Sequence, residues 1–204
     1  QYYSIRYPKN YDPQKSYGAI FSLHGAGVEA SLLASQYSSK DWAFVITPTN
    51  RRPYGFDWQD WGRLDFLEVY NLAVNSLPID EDWVYLSGGS MGGQGTWHIG
   101  LHHPSLLAAL APQAGWSTLH VYQPFAMQPS RMFASPEILL SRERARHDAN
   151  NLFFLENAEH LPVIITQGAK DKTVPPMHAR LFQKHLEIRD YQINYRELQD
   201  KAHW

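Results

Sequence analysis

The sequence of 204 residues contains no cysteine. This absence excludes a disulfide framework, a thiolate nucleophile and a cysteine-based zinc site. No apolar run approaches the length of a membrane span, and residues 1–20 lack the order of basic and then apolar residues found in signal peptides. The formal net charge is only −2, so the charge balance does not indicate a nucleic acid or a membrane as partner. We therefore expect a soluble protein whose compartment the sequence leaves open.

The composition is that of a chain able to bury a sizeable core, with 44% hydrophobic and 19% charged residues. A length of 204 residues is too short for two full-sized α/β domains, so we expect one domain over residues 1–204. The chain opens at Gln1 without an initiator methionine, which is compatible with a signal sequence that has been removed or left out.

Short apolar runs alternate along the chain with segments of helical periodicity. The predicted strands are Tyr17–Leu23, Trp42–Thr47, Trp83–Ser87, Leu106–Pro112, Val163–Gln167 and Tyr195–Leu198, and the predicted helices are Asp65–Leu77, Met91–His102 and Pro176–Ile188. This alternation predicts an α/β fold, with a mostly parallel central sheet and helices on both faces. Residues 2–7 alternate in polarity and predict an additional antiparallel edge strand.

One segment interrupts this alternation. Residues 115–161 form an excursion of about 45 residues between two strands that should lie close in the sheet. Long excursions inside compact domains are commonly lids or binding loops, so we expect a lid-like or binding segment. The arginines of its central SRERARHDANN stretch are interpreted as a solvated helix face paired with acidic neighbours.

The stretch Gly88-Gly89-Ser90-Met91-Gly92 fits the pattern G-x-S-x-G. It follows a predicted strand and precedes a predicted helix, which is the context that the pattern requires. In such a turn the serine adopts a strained backbone conformation and projects its hydroxyl from the edge of the sheet, while glycines keep neighbouring atoms clear. The phosphate-binding patterns G-x-x-x-x-G-K-[ST] and G-x-G-x-x-G are absent here, so a nucleophilic serine is the favoured interpretation.

With these residues the sequence resembles the α/β-hydrolase superfamily over nearly its whole length. The stretches IDEDWVYLSGGSMGGQGTW (79–97) and HHPSLLAALAPQAG (102–115) are similar to serine esterases related to polyhydroxybutyrate depolymerases and feruloyl esterases. The catalytic domains of prolyl-oligopeptidase-like peptidases are similar over the same stretch. The resemblance implies a catalytic triad in the chain order serine, acid, histidine.

The remaining two members of that triad are expected after later strands. Asp171 lies in the loop after Val163–Gln167, and His203 is the one histidine that follows the last predicted strand. Asp190 and Asp200 are weaker candidates for the acid. The histidines on predicted helices, His98, His102, His178 and His185, are interpreted as helix-surface residues.

A tetrahedral intermediate would need backbone N–H donors for its oxyanion. The resemblance implies one donor from Met91, directly after the serine, and one from the HGAG stretch after the first long strand. Within that stretch Ala26 is the preferred donor and Gly25 is the alternative, while His24 is expected to brace the loop. A simple strand-ending turn would account for the HGAG glycines equally well.

Aromatic residues near the same edge of the sheet have two interpretations. Tyr54, Trp58 and Trp61 follow a predicted strand, and Trp116 opens the excursion. These side chains could bind a sugar or an aromatic acyl group, or they could pack as a secondary core, and the sequence does not choose between the two.

We therefore predict a serine hydrolase that cleaves carboxylic esters, on a small molecule or a polysaccharide, through an acyl-enzyme intermediate and without metal or organic cofactor. A prolyl-oligopeptidase-like peptidase is the first alternative. A non-catalytic binding domain is the second, because the chain ends one residue after His203, whereas the resemblance implies a helix at that point. The resemblance slightly favours a secreted or periplasmic protein, and the oligomeric state stays open.

Overall fold

A computed structural model describes residues 2–51, 57–122 and 134–203. The strands are β1 (Tyr3–Arg6), β2 (Tyr17–Leu23), β3 (Ala43–Pro48), β4 (Ile79–Gly89), β5 (Ala109–Gln113), β6 (Val163–Gly168) and β7 (Ile193–Leu198). They form one sheet in the order β1-β3-β2-β4-β5-β6-β7. β1 pairs antiparallel with β3, and every other pair is parallel, which confirms the predicted sheet and its antiparallel edge strand.

Among the parallel strands, the order reverses once. The chain passes from β2 outward to β3 and then returns to β4 on the other side of β2. Connections therefore leave β2 and β4 in opposite directions, and a crevice opens between their carboxyl ends. This crevice is where the residues after Leu23 and Gly89 meet.

The helices are α1 (Ala30–Gln36), α2 (Asp60–Ser76), α3 (Met91–His102), α4 (Leu119–Tyr122), α5 (Pro136–Ala145) and α6 (Met177–Ile188). They cover both faces of the sheet, as two consecutive residues of β2 show. The ring of Phe21 packs edge-on against Phe66 of α2, with ring centroids 5.4 Å apart. The hydroxyl of Ser22 points to the other face, where it lies 2.9 Å from the hydroxyl of Tyr37 at the end of α1.

Aromatic stacking joins two helices on the α2 face. The indole of Trp97 in α3 lies 3.9 Å from the ring of Phe182 in α6, and the ring planes are inclined by 12°. Both side chains are buried, so this contact fixes the helix that follows Ser90 against the helix that follows Asp171.

Helix α1 is the main element that the sequence did not predict. Its buried residues are only Ala30 and Ala34, so it lacks the stripe of large apolar side chains that marks a core-facing helix. It is held instead by polar contacts: the side chain of Thr47 donates to the carbonyl of Ala30 at 2.9 Å, and that of Arg6 donates to the carbonyl of Ala34 at 3.1 Å.

The described part of the excursion packs partly against the body of the domain. A 3-10 segment, Asn151–Ala158, lies beside α3, where the amide of Asn157 donates to the carbonyl of Leu101 at 2.7 Å. Among the described residues no helix combines the length and the apolar character needed to cross a membrane.

Candidate active site

Ser90 occupies the sharp turn between β4 and α3. Its backbone angles are φ 58° and ψ −118°, a conformation that costs free energy for a residue with a side chain. The turn is held by the backbone N–H of Ser90, which donates to the carbonyl of Gln113 at the end of β5 at 2.9 Å. The strained geometry leaves the hydroxyl pointing into the crevice.

Two glycines of the turn, Gly88 and Gly92, are required by close backbone packing. A Cβ atom added to Gly92 would lie 1.9 Å from the carbonyl oxygen of Leu23, and one added to Gly88 would lie 2.4 Å from the carbonyl oxygen of Gly92. The start of α3 therefore approaches the ends of β2 and β4 more closely than any side chain would permit.

The structure brings Ser90, His203 and Asp171 together. Nε2 of His203 lies 2.9 Å from the hydroxyl oxygen of Ser90, and Nδ1 lies 2.8 Å from Oδ2 of Asp171. The imidazole is thus bonded on both sides, in the arrangement by which a base and its orienting carboxylate activate a hydroxyl.

The segment after β7 is tied to the loop after β6, which places His203 beside Asp171. The backbone N–H of Lys170 donates to the carbonyl of Lys201 at 2.9 Å, and that of Ala169 donates to the carbonyl of Leu198 at 3.0 Å. The ammonium of Lys170 also lies 3.0 Å from a carboxylate oxygen of Asp200. These contacts fix the approach of the chain to the imidazole.

The carboxylate of Asp171 is buried and fully hydrogen-bonded. Its Oδ1 accepts from the backbone N–H groups of Thr173 and Val174, both at 2.9 Å. Its Oδ2 accepts from the side-chain amide of Gln167 at 3.2 Å as well as facing His203. Sequence reasoning missed Gln167, although a glutamine at the end of the apolar run VIIT is itself an unusual feature of a buried strand.

The HGAG stretch lies directly across from Ser90. A Cβ atom added to Gly25 would lie 3.6 Å from Cβ of Ser90, and both Gly25 and Ala26 line the same crevice as the serine. Met91 is the first residue of α3, where the N–H groups have no partner within the helix. His24 is buried, and its Nδ1 lies 2.9 Å from the carbonyl oxygen of Gly25. The HGAG stretch and Met91 therefore both adjoin Ser90, the first across the crevice and the second along the chain.

Trp58, one of the predicted substrate-binding aromatics, does not face the crevice, so that prediction was wrong. Its side chain is 0% exposed, and its indole N–H donates to the carbonyl of His24 at 3.1 Å. The ring of His24 also packs edge-on against it, with centroids 5.0 Å apart. Trp58 belongs to the core and supports the loop that carries Gly25.

Two further predicted pocket aromatics, Trp61 and Trp116, also lie away from the crevice. Trp61 is 71% exposed and lines a separate cavity with Asn50 and Asp57. Trp116 is buried and stacks on Tyr122, with centroids 4.5 Å apart and planes inclined by 7°. Tyr54 lies outside the described residues.

Tyr122, which stacks on Trp116, lies close enough to Asp171 for the carboxylate to affect its pKa. Burial and the nearby negative charge of Asp171 raise the pKa of the Tyr122 phenol. Its ring also lies 6.0 Å from that of His178. Neither Trp116 nor Tyr122 is among the residues that line the crevice of Ser90.

Two histidines interpreted as surface residues are in fact buried. His98 is 2% exposed, and burial lowers its pKa to about 3. His178 is 1% exposed, and burial lowers its pKa to about 4, while its Nδ1 lies 3.2 Å from the hydroxyl oxygen of Ser117. Both rings are uncharged near neutral pH, so the helices that carry them can bury these positions.

The crevice itself is a cavity of about 540 Å³. Its lining residues are Ser22, Leu23, Gly25, Ala26, Val28, Leu33, Gln36, Tyr37, Ser87, Gly88, Gly89, Ser90, Gln113 and His203. None of these lining residues carries a carboxylate or an ammonium group. Within the described parts of the chain, no cluster of three or more metal-binding side chains occurs.

Comparison with known proteins agrees with this architecture. An "uncharacterized secreted protein" of Arthroderma benhamiae is 30% identical over 211 residues, which cover 96% of this chain and 22% of the relative. Among solved structures, a thermostable esterase superposes with a TM-score of 0.69 at 19% identity, covering 96% of this chain and 50% of that chain. A puromycin-hydrolyzing peptidase of Mycobacterium tuberculosis superposes with a TM-score of 0.73 at 16% identity, covering 99% and 34%.

The chain thus spans less than a quarter of the length of the curated relative, and half or less of these two solved chains. The sequence model of the prolyl oligopeptidase family matches residues 49–204, which is more than half of the chain and includes Ser90, Asp171 and His203. The chain therefore belongs to the prolyl oligopeptidase family, a family of serine hydrolases with the α/β-hydrolase fold.

Proposed function

We propose that this protein hydrolyses carboxylic esters through an acyl intermediate on Ser90. The observation that carries the proposal is the unbroken hydrogen-bonded path from the Ser90 hydroxyl through both nitrogens of His203 to Oδ2 of Asp171. A serine hydroxyl is a poor nucleophile at neutral pH, and such a path supplies the base that it needs.

In the first half of the reaction, Oγ of Ser90 attacks the carbonyl carbon while Nε2 of His203 accepts the hydroxyl proton. Asp171 accepts the Nδ1–H of the imidazole, which fixes the tautomer that leaves Nε2 free as base, and it stabilises the imidazolium that forms. The carbonyl oxygen gains negative charge, and the backbone N–H groups of Met91 and of Ala26 or Gly25 stabilise it.

Collapse of this intermediate breaks the bond to the alcohol, which leaves with the proton from His203. Water then enters, gives its proton to His203 and attacks the acyl carbon. The second collapse releases the carboxylic acid and returns the proton to Oγ of Ser90.

The lining of the crevice supports an ester substrate that carries hydroxyl groups. The side chains of Ser22, Gln36, Tyr37 and Gln113 can donate and accept hydrogen bonds. The described residues of the lining offer no carboxylate for an α-ammonium group. A neutral acyl compound, linked to a small alcohol or to a carbohydrate, suits this chemistry. An ester with an aromatic acyl group is a further candidate substrate. In the described lining, Tyr37 is the one phenyl or indole side chain against which such a group could pack.

Peptide-bond hydrolysis is the second candidate, and the family match favours it. The same three side chains would act, with His203 protonating an amine as leaving group. In this reading the excursion, residues 115–161, is proposed to contribute to substrate binding. The description of the Arthroderma relative as secreted supports a secreted protein in either case.

The test compares hydrolysis of short nitrophenyl esters, feruloylated sugars and proline-containing peptides by the wild type, by Ser90→Ala and by Ser117→Ala. Ser117 is the matched control, because its hydroxyl is also within hydrogen-bond distance of a histidine, His178. We expect ester turnover that Ser90→Ala abolishes and Ser117→Ala retains. Turnover of peptides alone would support the peptidase, and a folded protein without any turnover would support a binding domain.

A further inference from the structure

Gln167 is a fully buried glutamine whose amide nitrogen faces three oxygens. Nε2 lies 3.2 Å from Oδ2 of Asp171, 3.1 Å from the carbonyl oxygen of Val174 and 3.3 Å from that of Gly168. An amide oxygen in this place would face three acceptors, so only one orientation of the side chain is compatible with its surroundings.

Gln167 donates to the same oxygen of Asp171 that faces the imidazole of His203. Oδ2 of Asp171 accepts from Gln167 and faces Nδ1 of His203, whereas Oδ1 accepts from the backbone of Thr173 and Val174. Val174 is also an acceptor for Gln167. Gln167 therefore links the end of β6 to both sides of the turn that presents the carboxylate.

We propose that Gln167 is a positioning residue that holds the plane of the Asp171 carboxylate so that Oδ2 faces His203. This inference rests on the proposed function for its kinetic consequences. Without the amide, Oδ1 stays anchored by two N–H groups while Oδ2 has only the imidazole, and the carboxylate can turn about its Cβ–Cγ bond.

The surroundings of the side-chain oxygen, Oε1, indicate that Gln167 does more than stabilise the fold. Oε1 of Gln167 is buried and has no hydrogen-bond partner among the residues that the structure describes. A buried acceptor without a partner costs free energy, and an apolar side chain of similar volume avoids that cost. Gln94 is a matched control, since it is also buried and neither of its side-chain amide atoms has a partner within the described parts of the chain.

The experiment compares Gln167→Met, Gln167→His and Gln94→Met. For Gln167→Met we expect kcat to fall at least about tenfold with KM nearly unchanged, because a hydrogen bond to a charged group is lost. Gln167→His, which offers a ring N–H of similar reach, should recover part of kcat. Gln94→Met should keep the wild-type kcat.

A spectroscopic measurement tests the same idea without turnover. The Nδ1–H proton of His203, bonded to a carboxylate, should give a downfield proton resonance in the wild type and in Gln94→Met. In Gln167→Met and not in Gln94→Met the resonance should broaden or disappear, as the bond to Oδ2 loosens. An unchanged resonance in folded Gln167→Met would overturn the role of Gln167. If the wild type shows no turnover, the proposed function fails, while the resonance still decides whether Gln167 positions Asp171.

Discussion

Nε2 of His203 lies 2.9 Å from Oγ of Ser90, although 113 positions separate the two residues along the chain. The contact exists because Ser90 follows β4 and His203 follows β7, and parallel strands end at the same edge of the sheet. The parallel sheet therefore places the side chains of Ser90, His203 and Asp171 at one edge.

Replacing Ser90 by alanine should abolish hydrolysis and leave the fold intact. Removal of a nucleophile of this kind lowers kcat by roughly six orders of magnitude. The backbone contact to Gln113 does not involve the side chain, so the turn should persist. Steady-state kinetics and circular dichroism of the purified variant check both statements. Turnover at the wild-type rate would show that another residue is the nucleophile.

Gly92→Ala should destabilise the protein much more than Gly89→Ala. The added methyl group would lie 1.9 Å from the carbonyl oxygen of Leu23 at position 92, but it would meet nothing within 4 Å at position 89. We expect a loss of at least about 3 kcal/mol in the free energy of unfolding for Gly92→Ala and a change within about 0.5 kcal/mol for Gly89→Ala. Urea denaturation measures both. Equal stability of the two variants would contradict the packing described for the turn.

Trp58→Phe should weaken catalysis without direct contact to the substrate. Phenylalanine lacks the N–H that donates to the carbonyl of His24, and this hydrogen bond supports the loop of Gly25. A loss of about 1 kcal/mol in transition-state stabilisation corresponds to a roughly fivefold lower kcat/KM. Trp61→Phe is the control, because Trp61 is largely exposed and lines another cavity. A larger loss of kcat/KM in Trp61→Phe than in Trp58→Phe would indicate that the substrate binds outside the crevice.

The buried His178 should make the protein sensitive to acid. Burial lowers its pKa from 6.5 to about 4, so the unfolded chain takes up a proton at higher pH than the folded protein does. The stability contributed by the neutral ring is therefore present above pH 6.5 and is lost progressively as the pH falls towards 4, by up to about 1.4 kcal/mol per pH unit. His178→Gln, which keeps an acceptor for Ser117, should flatten this dependence.

Urea denaturation across that pH range measures the effect. Part of the slope should remain in His178→Gln, because His98 has its pKa lowered in the same direction, to about 3. An identical pH dependence in the variant and the wild type would show that the pKa of His178 is the same in the folded and the unfolded protein.

The sheet and the turn at Ser90 could be predicted because their signals are local. Strands such as Tyr17–Leu23 are continuous apolar runs, and the glycines at 88 and 92 mark a close approach that no side chain permits. Helix α1 was missed because it buries only two alanines. Its position depends on contacts with β1 and β3, which a periodicity does not reveal.

The surroundings of the site could not be predicted, because they depend on which side of a loop faces the core. Trp58 and Trp61 are three positions apart in one aromatic stretch, yet one is fully buried and the other is 71% exposed. His98 and Gln167 are polar residues whose burial follows from the packing of α3 and β6 against distant segments. Composition alone gives no information on such placement.

The most direct test of the account is covalent labelling by a fluorophosphonate, followed by mass spectrometry of the intact protein and its peptides. We predict one adduct, on the peptide that carries Ser90, with no adduct in Ser90→Ala and strongly slowed labelling in His203→Gln. A folded wild type that stays unlabelled, or labelling at the same rate after His203→Gln, would contradict the claim that the imidazole activates this hydroxyl.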